Sequence, residues 1–293
     1  MENPEIEAIR GALKATPRPV GLVVRRARLD ALGARYTLPA DVRTEEVDAN
    51  GVPAEWTATP SADADRVIMF LHGGAYISGS IASHRHVMAE LGRHAGARTL
   101  ALGYRLAPEH PFPAALDDAL AGYRFLLSSG FDPARITLAG ESAGGGLAIA
   151  TLLSLRDAGV TLPGSVWCSS PWVDLEMNGA SMASKAAVDP LIQKPYLVET
   201  AAAYLHGTDP RSPLVSPIHG DLRGLPRMLI QVGSAETLLS DSIRLAAVSG
   251  EADVDVTLQV WPGMIHAWHL FYPQLAEGRR ALAAVGAFIR SLS

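Results

Sequence analysis

The chain has 293 residues, of which 48% are hydrophobic and 19% charged, and its formal net charge is -5. This composition supplies a sizeable core and excludes a largely disordered protein, and the acidic balance gives no basis for nucleic-acid binding. No apolar run approaches the roughly 18 residues of a membrane span, and the acidic N-terminus lacks the pattern of a secretory signal. The sequence therefore predicts a cytoplasmic protein with no nucleic-acid or membrane partner.

Residues 1–40 are predicted to be helical, with breaks at Pro17 and Pro19. The most basic stretch of the chain lies here and contains Arg25, Arg26, Arg28 and Arg35. Leucine and valine residues alternate with these arginines, which predicts an amphipathic helix with a solvated, charged face.

From residue 42 onward, short apolar runs alternate with longer helical stretches. The first two runs flank an Asn-Gly dipeptide that is typical of tight hairpins. The predicted strands are 42–48, 52–58, 67–71, 99–102, 136–139, 165–168, 228–232 and 256–260. The predicted helices are 83–95, 114–129, 142–158 and 239–249, with a last one from Leu275. Near-continuous apolar strands are typical of a parallel sheet that helices cover on both faces.

Residues 176–212 interrupt this alternation with a run of alanines that ends in a proline-rich segment. This pattern predicts a helical insertion over the C-terminal edge of the sheet, where open α/β sheets bind ligands. We expect residues 1–40 and 176–212 to form a helical cap. Residues 41–175 and 213–293 then form the α/β domain.

The strongest motif, Gly-Glu-Ser-Ala-Gly at 140–144, follows predicted strand 136–139 and precedes a predicted helix. In this context G-x-S-x-G forms a sharp turn that exposes the serine above the sheet, at a helix N-terminus. A glycine-rich helix start that merely packs tightly is the alternative. The flanking strand and helix favour Ser142 as a nucleophile.

A second motif, His-Gly-Gly-Ala, begins at His72 directly after strand 67–71. Acyl transfer needs N–H donors aimed at the developing oxyanion, and glycines let backbone amides approach the substrate closely. We predict the N–H groups of Gly73 and Gly74 as donors, with that of Ala143 as the third. His72 is expected to orient this loop. An ordinary glycine turn is the alternative, but the two motifs occur in the order that acyl transfer requires.

A general base must come from one of nine histidines. In chains with these motifs the order is nucleophile, acid, base, so the base lies late in the sequence. His266 follows the last predicted strand, where the chain returns to the site. His269, three residues later, is expected to pack or to lie on the surface, and we therefore predict His266 as the base.

Two carboxylates after strand 228–232 qualify as the acid that orients this histidine, Glu236 and Asp241. Glu236 lies close to the strand end. Asp241 lies about one turn further and could instead cap the following helix. Proximity favours Glu236, and Asp241 stays open.

From about residue 60 to the C-terminus, the chain resembles the hormone-sensitive-lipase-like branch of the α/β-hydrolases, the bacterial family IV esterases. Six blocks carry the resemblance: HGGAY at 72–76, YRLAPEHPFPA at 104–114, GESAGG at 140–145, SPWVDL at 170–175, PLVSP at 213–217 and HAW at 266–268. The resemblance implies an α/β-hydrolase fold with a mostly parallel central sheet, flanking helices and a cap. It also implies a homodimer that forms through the last strand.

The activity implied by the resemblance is a carboxylesterase that hydrolyses short-chain acyl esters with neither cofactor nor metal. It places the nucleophile at Ser142, the base at His266, and the oxyanion donors at Gly73, Gly74 and Ala143. The expected ligand is a small-molecule ester.

Some positions depart from the family pattern or have two readings. Many members have Asp where this chain has Glu236, although a subgroup has Glu there. Glu141 replaces a common Asp that supports the oxyanion loop, and could support it less rigidly. Tyr76 and Tyr104 are expected to line the substrate pocket, with loop packing as the alternative.

Two other functions remain open. An amidase, N-deacetylase or lactonase would use the same serine, histidine and carboxylate, because the cap distinguishes the leaving groups. A non-catalytic small-molecule receptor is disfavoured, since such relatives typically lack the base.

Overall fold

The apolar runs of the sequence assemble into one eight-stranded sheet in the computed structural model, which describes residues 3–291. The strands are β1 (Arg43–Asp48), β2 (Pro53–Ala58), β3 (Asp63–Leu71), β4 (Ala97–Leu102), β5 (Ile136–Glu141), β6 (Ser165–Ser169), β7 (Arg227–Gly233) and β8 (Val256–Trp261). Their spatial order is β1-β2-β4-β3-β5-β6-β7-β8. β2 pairs antiparallel with β1 and β4, and every other pair is parallel. The eight predicted strands and the mostly parallel sheet are confirmed.

Helices connect the strands at the predicted places, with shifts of a few residues at their ends. The helices are α1 (Pro4–Ala15), α2 (Leu22–Ala34), α3 (Ile81–Ala95), α4 (Ala114–Ser128), α5 (Ala143–Asp157), α6 (Ser181–Ser184), α7 (Lys194–Leu205), α8 (Leu239–Glu251) and α9 (Ala276–Arg290). A short 3₁₀ segment, Trp268–Gln274, precedes α9. Within the described part of the chain, no helix is both long and apolar enough to cross a bilayer.

Alternate side chains of β3 enter two different apolar cores. Met69 and Leu71 pack into the larger core, with residues of α4, α5 and α8, while Ile68 and Phe70 pack with residues of α3 and α9. All four side chains are at most 2% exposed. Because both faces are covered, a slip of one residue would exchange the two sets, and the register is therefore well specified.

The N-terminal helix α1 is held by apolar contacts. Ile6 and Ile9 are buried against Met264, Ile265 and Trp268, which belong to the loop after β8 and the start of the 3₁₀ segment. This contact attaches α1 to the loop that carries His266.

Helix α2 exposes its apolar residues to solvent, whereas the prediction placed its charged residues there. Its exposed positions are Val23, Val24, Ala27, Ala31 and Ala34. Arg25 and Arg26 lie on the other face of the helix and are paired at the surface: Arg25 donates to both carboxylate oxygens of Glu199, at 2.7 and 3.2 Å, and Arg26 donates to the carboxylate of Glu109. The predicted solvated, charged face is therefore wrong for these two residues, because carboxylates from distant parts of the chain pair with them.

Candidate active site

Ser142 lies at the junction of β5 and α5, with φ 55° and ψ -119°, a conformation that costs a non-glycine residue energy. The two motif glycines allow the turn to close. A Cβ on Gly140 would overlap the backbone of Gly144, and a Cβ on Gly144 would overlap the carbonyl of Leu71. The turn therefore requires glycine at both positions for steric reasons and places the serine beyond the end of the strand.

Three side chains from three separate strand ends meet at this turn. His266 Nε2 lies 2.9 Å from Ser142 Oγ. His266 Nδ1 lies 3.1 Å from Glu236 Oε1. If Nδ1–H donates to the carboxylate, Nε2 is left as an acceptor for the serine O–H, which is the arrangement that general-base activation needs.

The Glu236 carboxylate is completely buried and is fixed by further donors. Ser170 donates its hydroxyl hydrogen to Oε2 at 2.8 Å, and the N–H of Gly233 donates to the same oxygen at 2.9 Å. Burial raises the pKa of Glu236, and the hydrogen bond to His266 offsets only part of that rise. These contacts leave Oε1 directed at the imidazole.

Asp241, the other candidate acid, is buried but bonded elsewhere. Its Oδ2 accepts the N–H groups of Val173 and Asp174, each at 3.1 Å. Burial raises the pKa of Asp241 to about 7. The structure brings Glu236 to His266 and keeps Asp241 at the loop after β6.

Glu141 is a second carboxylate beside the same histidine, a contact that the sequence did not predict. Its Oε1 lies 3.4 Å from His266 Nε2, and its Oε2 lies 3.0 Å from His84 Nε2. The same side chain fills the space in front of Gly73, where a Cβ would overlap it. The expected support of the oxyanion loop is consistent with this packing. Adjacency to the nucleophile was the only sequence signal for the contact with the base.

The two carboxylates change the proton affinity of the base. Burial by itself lowers the pKa of His266, but hydrogen bonds to Glu141 and Glu236 outweigh burial and raise the pKa to about 10. Burial would likewise raise the pKa of Glu141, yet His266 and His84 lower it to about 2. The imidazole therefore faces negative charge on two sides, which favours its protonated form.

The loop after β3 presents backbone amides beside the serine. Gly74 has φ 122°, and a Cβ there would overlap the carbonyl of Ser78, so only glycine fits. Ala143 is the first residue of α5, and an N–H at that position has no acceptor within its own helix. Gly73, Gly74 and Ser142 all line one cavity. The N–H groups of Gly73, Gly74 and Ala143 are the predicted donors to an oxyanion.

Tyr76 and Tyr104 do not line that cavity, which corrects the expected substrate contacts. Tyr104 donates its hydroxyl hydrogen to the carbonyl of His72 at 2.7 Å and stacks on the His72 ring at 4.1 Å. Tyr76 stacks on Tyr204, with 3.8 Å between the centroids of the two rings. Both side chains are buried, and the contacts named here are with the protein and not with the cavity.

His269 and Cys168 are two buried groups near the site. His269 is buried and lies 2.9 Å from Ser169 Oγ and 2.7 Å from Gln231 Oε1, which confirms a packing role. Cys168 is also buried, and burial raises the pKa of its thiol. A thiol in such surroundings stays protonated and unreactive.

The cavity above Ser142 has a volume of about 160 Å³ and opens to solvent on one side. The N-terminal segment and the 176–212 insertion both contribute to its mostly apolar wall. The lining residues from these segments include Leu13, Arg18, Arg28, Leu29, Leu32, Leu191, Ile192, Tyr196 and Leu197. These two segments therefore form much of the cavity wall.

Among residues 3–291, one cluster of side chains has the spacing of metal ligands: Asp174, Glu176 and His219, with ligand atoms within 4.8 Å of one another. Arg244 already donates to Asp174 Oδ2 at 2.5 Å and supplies positive charge there. None of the three residues lines the cavity at the serine.

Comparison with known proteins agrees with this geometry. Residues 68–270 match the α/β-hydrolase fold family. An acetyl-hydrolase of Streptomyces hygroscopicus is 46% identical over 298 residues, which cover 99% of this chain and 98% of the relative. An esterase of Acinetobacter venetianus is 33% identical, with 98% of this chain and 95% of the relative covered.

Solved structures are similar over the same length. The crystal structure of an esterase from the bacterial hormone-sensitive lipase family superposes with a TM-score of 0.97 at 43% identity, and covers 100% of this chain and 99% of its own. The fold, the order of the motifs and the relatives all indicate the same family. The chain therefore belongs to the hormone-sensitive-lipase family of α/β-hydrolases and is a carboxylesterase.

Proposed function

We propose that the protein hydrolyses short-chain acyl esters through Ser142, His266 and Glu236, with an acyl-enzyme intermediate. The observation that carries this proposal is the continuous hydrogen-bonded row from Ser142 Oγ to His266 at 2.9 Å and from His266 to Glu236 at 3.1 Å. Such a row is the arrangement by which a deprotonated histidine turns a serine hydroxyl into a nucleophile.

In the first step, Ser142 Oγ attacks the carbonyl carbon of the ester while His266 Nε2 accepts the hydroxyl proton. The carbonyl oxygen becomes an oxyanion, which the N–H groups of Gly73, Gly74 and Ala143 stabilise. His266 then donates its proton to the leaving alcohol oxygen, and the C–O bond breaks. Water then attacks the acyl carbon while His266 accepts a proton from it. His266 returns this proton to Ser142 Oγ as the acyl C–Oγ bond breaks and the carboxylic acid leaves.

The size and lining of the cavity favour a small acyl group. A cavity of about 150 Å³ accommodates a benzene-sized group, and the volume of about 160 Å³ here is similar. The Streptomyces hygroscopicus relative is named an acetyl-hydrolase, which favours a two-carbon acyl group. Acetyl and butyryl esters are therefore the proposed substrates.

The domain organisation that we propose follows from the segments that line the cavity. We propose that residues 1–40 and 176–212 act as the cap, and that residues 41–175 and 213–293 form the catalytic domain. β8 is an edge strand with Val260 exposed on it, which is consistent with the proposed homodimer through this strand.

A series of p-nitrophenyl esters tests the acyl-chain preference. We expect kcat/KM to be highest for acetate or butyrate and to fall by about tenfold or more for octanoate and dodecanoate, because the longer chains exceed the cavity. The matching anilide, p-nitroacetanilide, should react far more slowly than the acetate ester. A faster anilide reaction would indicate an amidase instead.

Two leucines of α7 provide a matched pair for this test. Leu197 lines the cavity and Leu205 does not, although both are buried. Leu197→Ala should shift the preference toward octanoate, whereas Leu205→Ala should leave it unchanged. Equal profiles for the two variants would contradict the proposed acyl site.

The pH profile tests the role of Glu141 as a positioning residue. Only deprotonated His266 accepts the serine proton, so a raised pKa places the rise of kcat/KM at higher pH than for an ordinary histidine. Glu141→Gln removes one negative charge 3.4 Å from Nε2. Because the pKa of His266 then falls, the rise in kcat/KM should move to lower pH by about one pH unit or more.

Asp221→Asn supplies the control for this experiment, since Asp221 pairs with Arg223 on the exposed surface. Its pH profile should match that of the wild type. An unchanged profile for Glu141→Gln would show that this carboxylate does not act on the base.

A further inference from the structure

The loop that carries Glu236 connects β7 to α8, and it is bonded to side chains from a distant part of the chain. Thr237, the next residue, is completely buried, so its backbone N–H and C=O groups need partners within the protein. The N–H donates to Asp189 Oδ2 at 2.8 Å, and the C=O accepts the hydroxyl hydrogen of Ser181 at 2.5 Å. Both partners belong to the 176–212 insertion, which also lines the cavity.

The start of α8 depends on the same insertion. Leu238 occupies the N-cap position, and its side chain offers no acceptor to the free N–H groups of the first turn. Ser181 Oγ accepts one of them, the N–H of Ser240, at 2.8 Å. Ser240 Oγ in turn accepts the N–H of Ser181 at 3.0 Å. The insertion therefore supplies a cap that the local sequence lacks.

Asp189 is a buried carboxylate with donors on both of its oxygens. It is 4% exposed and accepts four hydrogen bonds, all from uncharged donors. Oδ1 accepts the N–H groups of Leu191 and Ile192, at 2.8 and 2.9 Å. Oδ2 accepts the N–H and the hydroxyl hydrogen of Thr237, at 2.8 and 3.2 Å. Because Leu191 and Ile192 line the cavity, one oxygen binds the cavity wall and the other binds the loop of the acid.

We propose that Asp189 is a positioning residue that holds the cavity wall and the acid Glu236 in fixed positions relative to each other, with Ser181 as its partner on the acid loop. This inference rests on the proposed role of Glu236 in catalysis. The N–H of Thr237 belongs to the peptide group that follows Glu236, so its hydrogen bond to Asp189 fixes the backbone of the acid. Glu236 Oε1 lies 3.1 Å from His266 Nδ1, and a shift of the loop would lengthen that contact. A misplacement of about 1 Å can cost about 10² in rate.

Asp189→Asn tests the contact with the acid loop. The amide keeps the size of the side chain, but its NH₂ group accepts no hydrogen bond from the N–H groups that now meet a carboxylate oxygen. We expect kcat for p-nitrophenyl acetate to fall by about 10- to 100-fold. Ser181→Ala removes the second contact with Thr237 and should lower kcat by about fivefold or more. This smaller change carries the test if Asp189→Asn does not fold.

A double-mutant cycle separates positioning from a purely structural role. If Asp189 acts through Glu236, it has little left to position once the charge of the acid has been removed. In the Glu236→Gln background, Asp189→Asn or Ser181→Ala should therefore lower kcat by no more than about threefold. A purely structural role would lower kcat by the same factor in both backgrounds. Thermal unfolding of each variant shows that the proteins compared are folded.

The acyl-chain profile tests the contact with the cavity wall. Asp189→Asn should change the ratio of kcat/KM for p-nitrophenyl acetate to that for the octanoate by about threefold or more, because Leu191 and Ile192 lose a hydrogen-bond acceptor. Ser181→Ala should leave this ratio at the wild-type value, since the Ser181 hydroxyl bonds to the acid loop and does not line the cavity.

Asp241→Asn is the matched control. Asp241 is also a completely buried carboxylate that accepts two backbone N–H groups, but these belong to the loop after β6. It should keep kcat within about threefold of the wild type, with an unchanged acyl-chain ratio.

Three results would overturn the inference: a folded Asp189→Asn or Ser181→Ala protein with wild-type kcat, an equal loss of kcat in both backgrounds, or an Asp189→Asn protein with the wild-type acyl-chain ratio. In each of these cases Glu236→Gln alone would still be nearly inactive, so the proposed function would stand. A Glu236→Gln protein with wild-type kcat would overturn the proposed function together with this inference.

Discussion

Ser142→Ala should lower kcat/KM for p-nitrophenyl acetate by about 10⁴-fold or more while the protein remains folded. The hydroxyl oxygen is the proposed attacking atom, and alanine offers none. The amides of Gly73 and Gly74 remain in place, so residual catalysis above the uncatalysed rate should persist. Substrate turnover measured after removal of any wild-type contaminant checks this expectation.

Folding of the variant is the necessary control. Ser142 has φ 55°, and alanine tolerates this region no better than serine, so a small decrease in stability is expected. The midpoint of thermal unfolding should therefore lie close to that of the wild type. A folded Ser142→Ala protein with more than a few per cent of the wild-type rate would remove this residue from the mechanism.

Glu236→Gln should lower kcat by about 10³- to 10⁴-fold. The amide keeps the size of the side chain but removes the charge that stabilises the imidazolium. An amide N–H directed at His266 Nδ1 would also favour the tautomer whose Nε2 carries the proton, and that tautomer accepts nothing from the serine. Single-turnover kinetics with p-nitrophenyl butyrate would show the effect on the acylation step.

Asp241→Asn is the matched comparison, since Asp241 is the other carboxylate that follows β7. Its Oδ2 accepts two backbone N–H groups, and an asparagine carbonyl oxygen accepts the same bonds. Because burial already raises the pKa of Asp241 to about 7, a neutral side chain is tolerated there near neutral pH. We expect kcat to stay within about threefold of the wild type. A collapse of kcat in this variant alone would assign the acid to Asp241.

The strands were predictable because burial on both faces leaves a continuous apolar run. Residues 67–71 of β3 show this pattern without interruption, and residues 136–139 of β5 show it with Thr137 as the one polar residue. Which face of α2 is exposed to solvent was not predictable from the sequence. Arg25 and Arg26 are held by Glu199 and Glu109, which lie 174 and 83 residues away in the chain. The pattern of charges within one helix does not show partners that lie so far away in the chain.

The residues of the candidate site likewise include some that the sequence predicts and some that it does not. Ser142 and its flanking glycines form a local turn whose geometry the motif encodes, and the order of residues narrowed the base to His266. The choice between Glu236 and Asp241 depended on the path of one loop, which spacing alone leaves open. Tyr76 could have faced either side of its loop, and only packing against Tyr204 decides the side.

The two N-terminal helices are attached to the rest of the molecule by different forces. Ile6 and Ile9 of α1 are held by burial from water, which added salt does not weaken. Arg25 and Arg26 of α2 are held by ion pairs at the surface, which dissolved ions screen. Added salt should therefore weaken the ion pairs of α2 and leave the apolar contacts of α1 intact. The two helices that flank the same cavity thus differ in how they respond to ionic strength.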